Sequence, residues 1–542
     1  MKRKFALVAP VAVTTLAVAL TLTACSGGSA SSSNNGSGSS QSGKTLETGG
    51  TFRLDLGTDP GSIFPYASTS GPNRQIDDFA YDSLVGRSKK GDAVPAVASS
   101  WKVTTDAVTY NIRKDVTCSD GTTLKPSDIA ADFNYIKDPK TLSPWVQFSV
   151  PVKYTVSADD SAGTFTITST TPFGTLLQGA GAVPLVCPQG LANPAAFAHA
   201  SAGTGPFKIT DYAQGDHYDL AVRPDYTWGP SGAKTSAAGT PKTVTINFVA
   251  DESTMANQLI SGEVNAAQIT GPDRNRLDKT PGINRNDVPV IVGELNPNEA
   301  PGRILNDEQV RLAAAAALNP KDIAPVSTAQ HGSTVDNMFA EQPVQCPANE
   351  TKGNLPSYSP SKAKQLLEAD GWTVGSDGIR EKDGKTLTLK LIYQTGAPQT
   401  ESAAELIGQE LKAVGIGTNL VGETNDAWSQ ALYSTGDFDM FYSAINLEFP
   451  YMMSTFYGGA TPQNGGRNSG DVVNADFNNL SAQAAAAPAE QACKLWNGAH
   501  EALLKRADVV PLSQGDRPFY TSKASLETVG LFAVPTSIRL YK

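Results

Sequence analysis

Two short stretches of this 542-residue chain have the residue types for phosphate or metal chemistry. GSSQSGKT, residues 38–45, matches the phosphate-loop pattern GxxxxGK[ST] letter for letter. That loop needs a buried strand before it and a helix after it. Both flanks here are polar and Gly/Ser-rich, so the motif lacks the elements that would make it a nucleotide site. HEALL, starting at His500, has one half of a zinc-hydrolase helix and lacks the second histidine. The four histidines, His199, His217, His331 and His500, stand at no ligand spacing and read as structural or surface residues. No CxxC or Cys/His cluster suggests zinc. No Ser/His/Asp set and no cofactor loop with proper flanks is recognisable. The chain therefore reads as a non-enzyme that needs no cofactor or metal.

Cys25 belongs to a different chemistry. The chain opens with MKRKF, a positive cluster, followed by the apolar run ALVAPVAVTTLAVALTL. Positive start, apolar middle and small-residue exit make residues 1–24 a secretory signal. The run is short for a membrane span, which needs about 20 residues. Leu22-Thr23-Ala24-Cys25 resembles the lipobox of bacterial lipoproteins, in which the signal is cut before the cysteine and the thiol takes a diacylglycerol. Two or three acyl chains hold a protein at a membrane face, where one chain binds only marginally. Residues 25–46 then read as the lipidated cysteine and a flexible linker. About 20 Gly/Ser-rich residues reach roughly 25 Å, which makes a tether. The implied location is the extracytoplasmic face of a cell membrane.

What remains after residue 24 is too long for one compact core. The formal charge is −10 and more negative without the basic leader, so the chain has no general attraction to nucleic acid. Besides Cys25 there are Cys118, Cys187, Cys346 and Cys493. An even number in an exported chain permits two disulfides with three pairings; four buried thiols are the alternative.

The elements that would position a site follow from hydrophobic period. Phe52, Leu54 and Leu56 alternate as a strand, ended by Asp59-Pro60-Gly61. A helix is expected around residues 74–84. Val108, Tyr110 and Ile112 form a strand. Pro126 opens a helix whose Ile129, Phe133 and Ile136 share a face. Val244, Ile246 and Phe248 alternate, Met255 and Leu259 share a helix face, and Gly262 ends that helix. The pattern recurs as TLTLKLIY from Thr386, ESAAELIGQELKAVG ending at Gly415, and IGTNLV. Two such strand–helix–strand units predict two α/β lobes with partly parallel sheets.

ASSWKVTTDAVTYNIRKDVTCSDGTTLKPSDIAADF resembles a signature of the extracellular solute-binding proteins of ABC importers, the peptide/nickel-binding family 5. Trp101, Arg113, Lys114, Ser119, Asp120, Gly121, Thr122 and Asp128 fit in order. GTGPFKI at 203–209, RPDYTWG from Arg223, LISGEVNAAQI, NDEQVRLAAAAALNPKDI, YSPSKAKQLLEADGW, GDFDMF and VVPLSQ follow in the family's sequence, with Asn265 in place of the usual aspartate. The resemblance implies a periplasmic-binding-protein-like two-lobe α/β fold (type II, cluster C) with an additional small α+β domain. Lobe I would hold residues 47–90, 201–290 and the returning tail 509–542; the extra domain would be 91–200; the second large lobe, lobe III, would be 291–508. That division favours Cys118–Cys187 and Cys346–Cys493, each inside one domain. It implies a monomeric receptor that takes a solute between its lobes and hands it to ABC permease subunits driven by cytoplasmic ATPases.

The family binds peptides most often, and also nickel chelates, haem, opines and some sugars. Its peptide binders pin a ligand amine with a carboxylate beyond the GDFD strand, which places that role on Glu448. The family's tryptophan is here Ile445, and Tyr442 stands where some receptors carry an arginine, so recognition of a ligand carboxylate by that arginine is not expected, and the resemblance implies a longer, modified or carboxylate-poor ligand. Trp428 corresponds to a pocket aromatic. Trp145 and Phe148, from the extra domain, are candidates to cap the cleft. TSGPNR, residues 69–74, aligns with a loop that pairs with the ligand backbone, through Ser70, Gly71 and Asn73. Asn446 borders the site. Core packing is the competing role for each aromatic. The rival readings are a non-transport lipoprotein of the same fold, acting as an envelope sensor or regulator, and an importer receptor for a non-peptide solute.

Overall fold

The computed structural model describes residues 45–542 apart from 171, 172, 174, 342, 343, 345 and 488. The leader, Cys25 and the phosphate-loop look-alike up to residue 44 lie outside the described residues. Among the described residues no helix is long and apolar enough to cross a membrane. Thr45 and Leu46, expected as the end of the linker, are held by the other terminus. Leu46 bridges Tyr541, and the Lys542 N–H donates to the Thr45 carbonyl at 2.9 Å.

Phe52 and Leu54 are fully buried in the strand Thr51–Leu56. It lies inside a seven-stranded sheet, parallel to Thr243–Phe248 on one side and to Ala266–Gln268 on the other. The helix Glu252–Ser261 links those two neighbours. Its ends are marked locally: Asp251 accepts the Thr254 N–H at its start, and Gly262 takes a left-handed φ of 79° at its end. Only a residue without Cβ adopts that conformation at little cost. The sheet is completed by His217–Val222 and Phe207–Ala213 at one edge and by Phe519–Ser522 and Ile283–Asn286 at the other.

The second large sheet has six strands, in the order Gly332–Ser333, Val510–Asp516, Pro289–Pro297, Met440–Ser443, Thr388–Gln394, Gly417–Glu423. Thr388–Gln394 runs parallel to both its neighbours. The helix Pro398–Lys412 buries Ala404, Ile407 and Leu411 against it. The expected strand from Thr386 is divided. Lys385–Thr386 closes a small three-stranded sheet, and the main strand starts at Thr388. Leu387 between them is fully buried.

A four-stranded antiparallel sheet, Ala98–Val103, Ala107–Ile112, Thr164–Ser169, Tyr154–Asp159, carries the helix Pro126–Lys137 on one face. This is the small α+β domain. Its apolar residues, Val108, Phe133 and Phe165 among them, form one continuous cluster with Phe52 and Ile246 of the seven-stranded lobe. Cys118 is bonded to Cys187 and Cys346 to Cys493.

The chain passes between the large sheets twice, from Ile283–Asn286 into Pro289–Pro297 and from Val510–Asp516 into Phe519–Ser522. The tail expected to return whole to lobe I is therefore divided, with its first strand paired in the six-stranded sheet. The two passages touch, the Arg517 N–H donating to the Val288 carbonyl at 2.8 Å.

Candidate ligand site between the two lobes

The largest described chamber between the lobes has a volume of about 970 Å³. The seven-stranded lobe contributes Asp59, Ser70 and Asn73; the six-stranded lobe contributes Gln394, Asn425 and Asn446; the passages between them contribute Asp516 and Arg517. Tyr442 is the one aromatic among its described lining residues.

Ser70, Gly71 and Asn73 stand at a helix start rather than in an open loop. The helix Gly71–Ala80 begins three residues earlier than its apolar period suggested, with Ser70 as its N-cap residue and Pro72 in the first turn. Proline fits there because its missing N–H would be unbonded anyway. Ser70 Oγ donates to Asn73 Oδ1 at 2.8 Å, and Asn73 Nδ2 donates to the Ser62 carbonyl. Ser70, Pro72 and Asn73 line the chamber. Asn446 lines it from across the cleft, but its amide is used internally. It accepts the Ile291 N–H and donates to the Ile291 carbonyl, both at 2.9 Å, as a neighbouring strand would.

Tyr442 is 2% exposed, and its ring lies over Gly293, where any Cβ would collide with it. Burial raises its pKa. Two of the expected aromatics are core residues. Trp428 packs edge-on against Phe441, with centroids 5.5 Å apart, beside Ile392 and Phe438. Trp145 is 2% exposed and donates through Nε1 to the Pro65 carbonyl at 2.7 Å. This indole N–H ties the small α+β domain to the Pro65 segment of the seven-stranded lobe, and the ring is buried in their shared core.

Glu448 lies outside the main chamber, in a smaller cavity of about 220 Å³. Its carboxylate does not stand free for a ligand amine. Oε1 accepts from Arg74 at 2.5 Å, and Oε2 lies 3.9 Å from Arg87. Arg87 also faces Glu341 at 3.6 Å. Burial pushes Glu448 up, and the guanidinium groups of Arg74 and Arg87 outweigh it, leaving the carboxyl below its usual range. Glu341 moves the other way. Burial, then repulsion from Glu448, push it up to about 8 against the pull of Arg87. Phe148 is placed here rather than over the main chamber. Its ring lies 5.7 Å from the Arg74 guanidinium, with Phe532 at 4.6 Å. Aromatic faces stabilise a cation at this range.

Arg74, Arg87 and Glu341 were not singled out in the sequence, and neither were Arg274 and Arg517 in the main chamber. Arg74 ends the TSGPNR segment; the others carry no motif. Among the described residues no group of three or more His, Cys, Asp or Glu side chains is placed to hold a metal ion.

Comparison with known proteins agrees with this architecture. The model of the bacterial extracellular solute-binding proteins, family 5 (middle) matches residues 92–467. The nickel-binding periplasmic protein of Escherichia coli (strain K12) is 27% identical over 382 residues, covering 67% of this chain and 69% of that protein. A substrate-binding protein from Microbacterium hydrocarbonoxydans, solved with 4-hydroxybenzoate hydrazide, superimposes with a TM-score of 0.75 at 25% identity, covering 90% of this chain and 99% of the other. The oligopeptide-binding protein AppA of Bacillus subtilis, solved with a nonapeptide, has a TM-score of 0.74 at 20% identity over 92% of this chain and all of its own. With well over half of its length matched by the family model, and with a chamber between two lobes joined by two passages, the chain belongs to the bacterial extracellular solute-binding proteins of family 5.

Proposed function

We propose that this chain is the extracytoplasmic receptor of an ABC importer. It captures a polar, extended solute of the peptide class in the chamber between its lobes and delivers it to permease subunits driven by ATPases. A diacylglycerol on Cys25 tethers it to the membrane. The observation that carries this reading is the chamber of about 970 Å³, walled by both lobes, in which hydroxyls and amides such as those of Ser70, Gln394 and Asn425 stand among aliphatic residues such as Val290 and Val292, with Tyr442 the one aromatic among its described lining residues. Such a lining suits a ligand rich in amide groups, since each buried polar group on either side finds a partner. Hinge closure over the solute then presents one defined surface to the permease. The named ligands of the relatives, nickel and oligopeptides among them, bracket this choice.

The test is direct. The full-length chain is denatured after purification, and what it releases is identified by mass spectrometry. In parallel, a strain lacking it is grown on mixed short peptides as nitrogen source. Short peptides released, and slower growth of the deletion strain, are the expected results. Release of non-peptide solutes alone removes the peptide class; unchanged growth removes the import role.

A further inference from the structure

The main chamber holds few charges, and one of them is free. Among its described lining residues the charged side chains are Asp59, Arg274, Asp516 and Arg517. Asp59 is engaged within the protein: Oδ1 accepts the Gly61 N–H, and Oδ2 accepts the Tyr212 hydroxyl and the Gly215 N–H, at 2.7–2.8 Å. Asp516 faces Arg285 at 3.5 Å. Arg274 is 1% exposed; its Nη1 donates to the Asp516 carbonyl at 3.3 Å, and the Asp516 carboxylate and the Tyr520 hydroxyl interact with its guanidinium. Arg517, the next residue along the chain, enters the chamber from the hinge. Its backbone is tied to Val288, and its side chain is exposed on the chamber with no hydrogen bond or ion pair to any described residue.

The Arg517 guanidinium is open to the chamber and charged, because arginine does not lose its proton in proteins. The acid whose charge acts on it, Glu252, is already occupied by the N–H groups of Thr270 and Gly271 and by the Thr270 hydroxyl. One unpaired guanidinium, that of Arg517, therefore faces the chamber, while its other charged lining groups, Asp59, Arg274 and Asp516, interact within the protein. A planar fork of N–H donors is matched by a planar oxyanion, which takes two parallel hydrogen bonds.

We infer that the solute bound in this chamber carries a carboxylate, and that the unpaired guanidinium of Arg517 receives that group. This rests on the chamber being the solute site. It sets the polarity of recognition: the hinge reads an anion, while Glu448 stands outside the chamber and is already paired.

The experiment uses the full-length chain as wild type, Arg517→Gln and Arg517→Lys. Each is incubated with the small-molecule fraction of yeast extract, and with the same fraction after methyl esterification, which masks carboxylates. Retained molecules are identified by mass spectrometry. Wild type is expected to retain carboxylate-bearing molecules from the untreated fraction and at least tenfold less of them after esterification. Arg517→Gln loses at least tenfold and Arg517→Lys less, with thermal midpoints unchanged. Retention that survives esterification, or survives Arg517→Gln at the wild-type level, overturns the inference and leaves solute binding standing. Retained carboxylates that are not peptides remove the peptide class and keep the inference. If wild type retains nothing from either fraction, the solute-site reading falls and takes the inference with it. Should Arg517→Gln fail to fold, the esterification comparison on wild type and the Lys variant decide.

Discussion

Glu294 shows how a single buried acid sets a pH dependence. It sits in the strand Pro289–Pro297, 1% exposed, with Oε2 accepting the Ile445 N–H at 3.1 Å and Oε1 unbonded. Burial pushes its pKa up to about 8, against the downward pull of the Ile445 N–H and the nearby Tyr457 hydroxyl. The folded chain therefore keeps a proton that the unfolded chain gives up near the ordinary value of 4.5. A raised native pKa contributes stability that is fully present below that ordinary value and is lost as pH rises through about 8. Glu294→Gln keeps the neutral shape and removes the titration. It should match wild type to within about 1 kcal/mol near pH 4, where both states hold the proton, and then gain on wild type by about 1.4 kcal/mol per pH unit until about pH 8. Urea midpoints of the two proteins across this range provide the check. Parallel pH slopes would show that the carboxyl does not titrate in the fold. Glu448, whose pKa moves down, has the opposite dependence: the contribution of its ion pairs is present above the ordinary range and lost in acid.

At the scale of elements, the disulfides join segments that the sheets leave loosely held. Cys118–Cys187 spans 69 residues and ties a turn before Pro126–Lys137 to the short helix Pro188–Ala192. Cys346–Cys493 spans 147 residues and ties an irregular segment to the helix Ala489–Lys505. Closing loops this long removes conformational freedom chiefly from the unfolded chain. Replacing both cysteines of either pair by alanine should lower stability by about 2–4 kcal/mol. The check is the unfolding midpoint without reductant; reductant should shift the wild type more than either doubly substituted variant, which keeps only the other bridge. Elements with their own punctuation were legible in the sequence. The strand Thr51–Leu56 alternates cleanly, and the helix Glu252–Ser261 carries Asp251 and Gly262 at its ends. Boundaries shifted where tertiary contacts intervened, as at Leu387, where one apolar run serves two sheets. The site was less legible. Arg74 and Glu448 lie 374 residues apart, and no local pattern pairs them. Trp428 and Trp145 follow the spacing of core and of pocket residues equally well, and only the position of Phe441 and of the Pro65 carbonyl decides for the core.

For the whole molecule, the ion cluster outside the main chamber acts on closure. Arg74 stands on a helix of the seven-stranded lobe, and Glu448 follows the strand Met440–Ser443 of the six-stranded lobe. Their contact at 2.5 Å, with Arg87 at 3.9 Å, spans the cleft. The Tyr451 hydroxyl donating to the Phe148 carbonyl at 3.2 Å adds a neutral bond across the same boundary. The covalent connection at the hinge is limited to two passages, so such contacts bias the balance between open and closed forms. The pair is 20% and 16% exposed, between the surface case and the buried one. A value of about 1–2 kcal/mol is appropriate to that setting. Glu448→Gln should therefore populate the open form in the absence of solute, seen as a larger radius of gyration by small-angle scattering. A ligand that favours the closed form must then supply the lost bias itself, so its Kd should rise about 5- to 30-fold. Arg74→Met should reproduce both changes, and the double variant should add little to either, because each single change removes the same contact. If scattering stays unchanged while affinity falls in Glu448→Gln alone, the carboxylate touches the solute rather than closing the lobes. That pattern would return Glu448 to the role of an amine anchor.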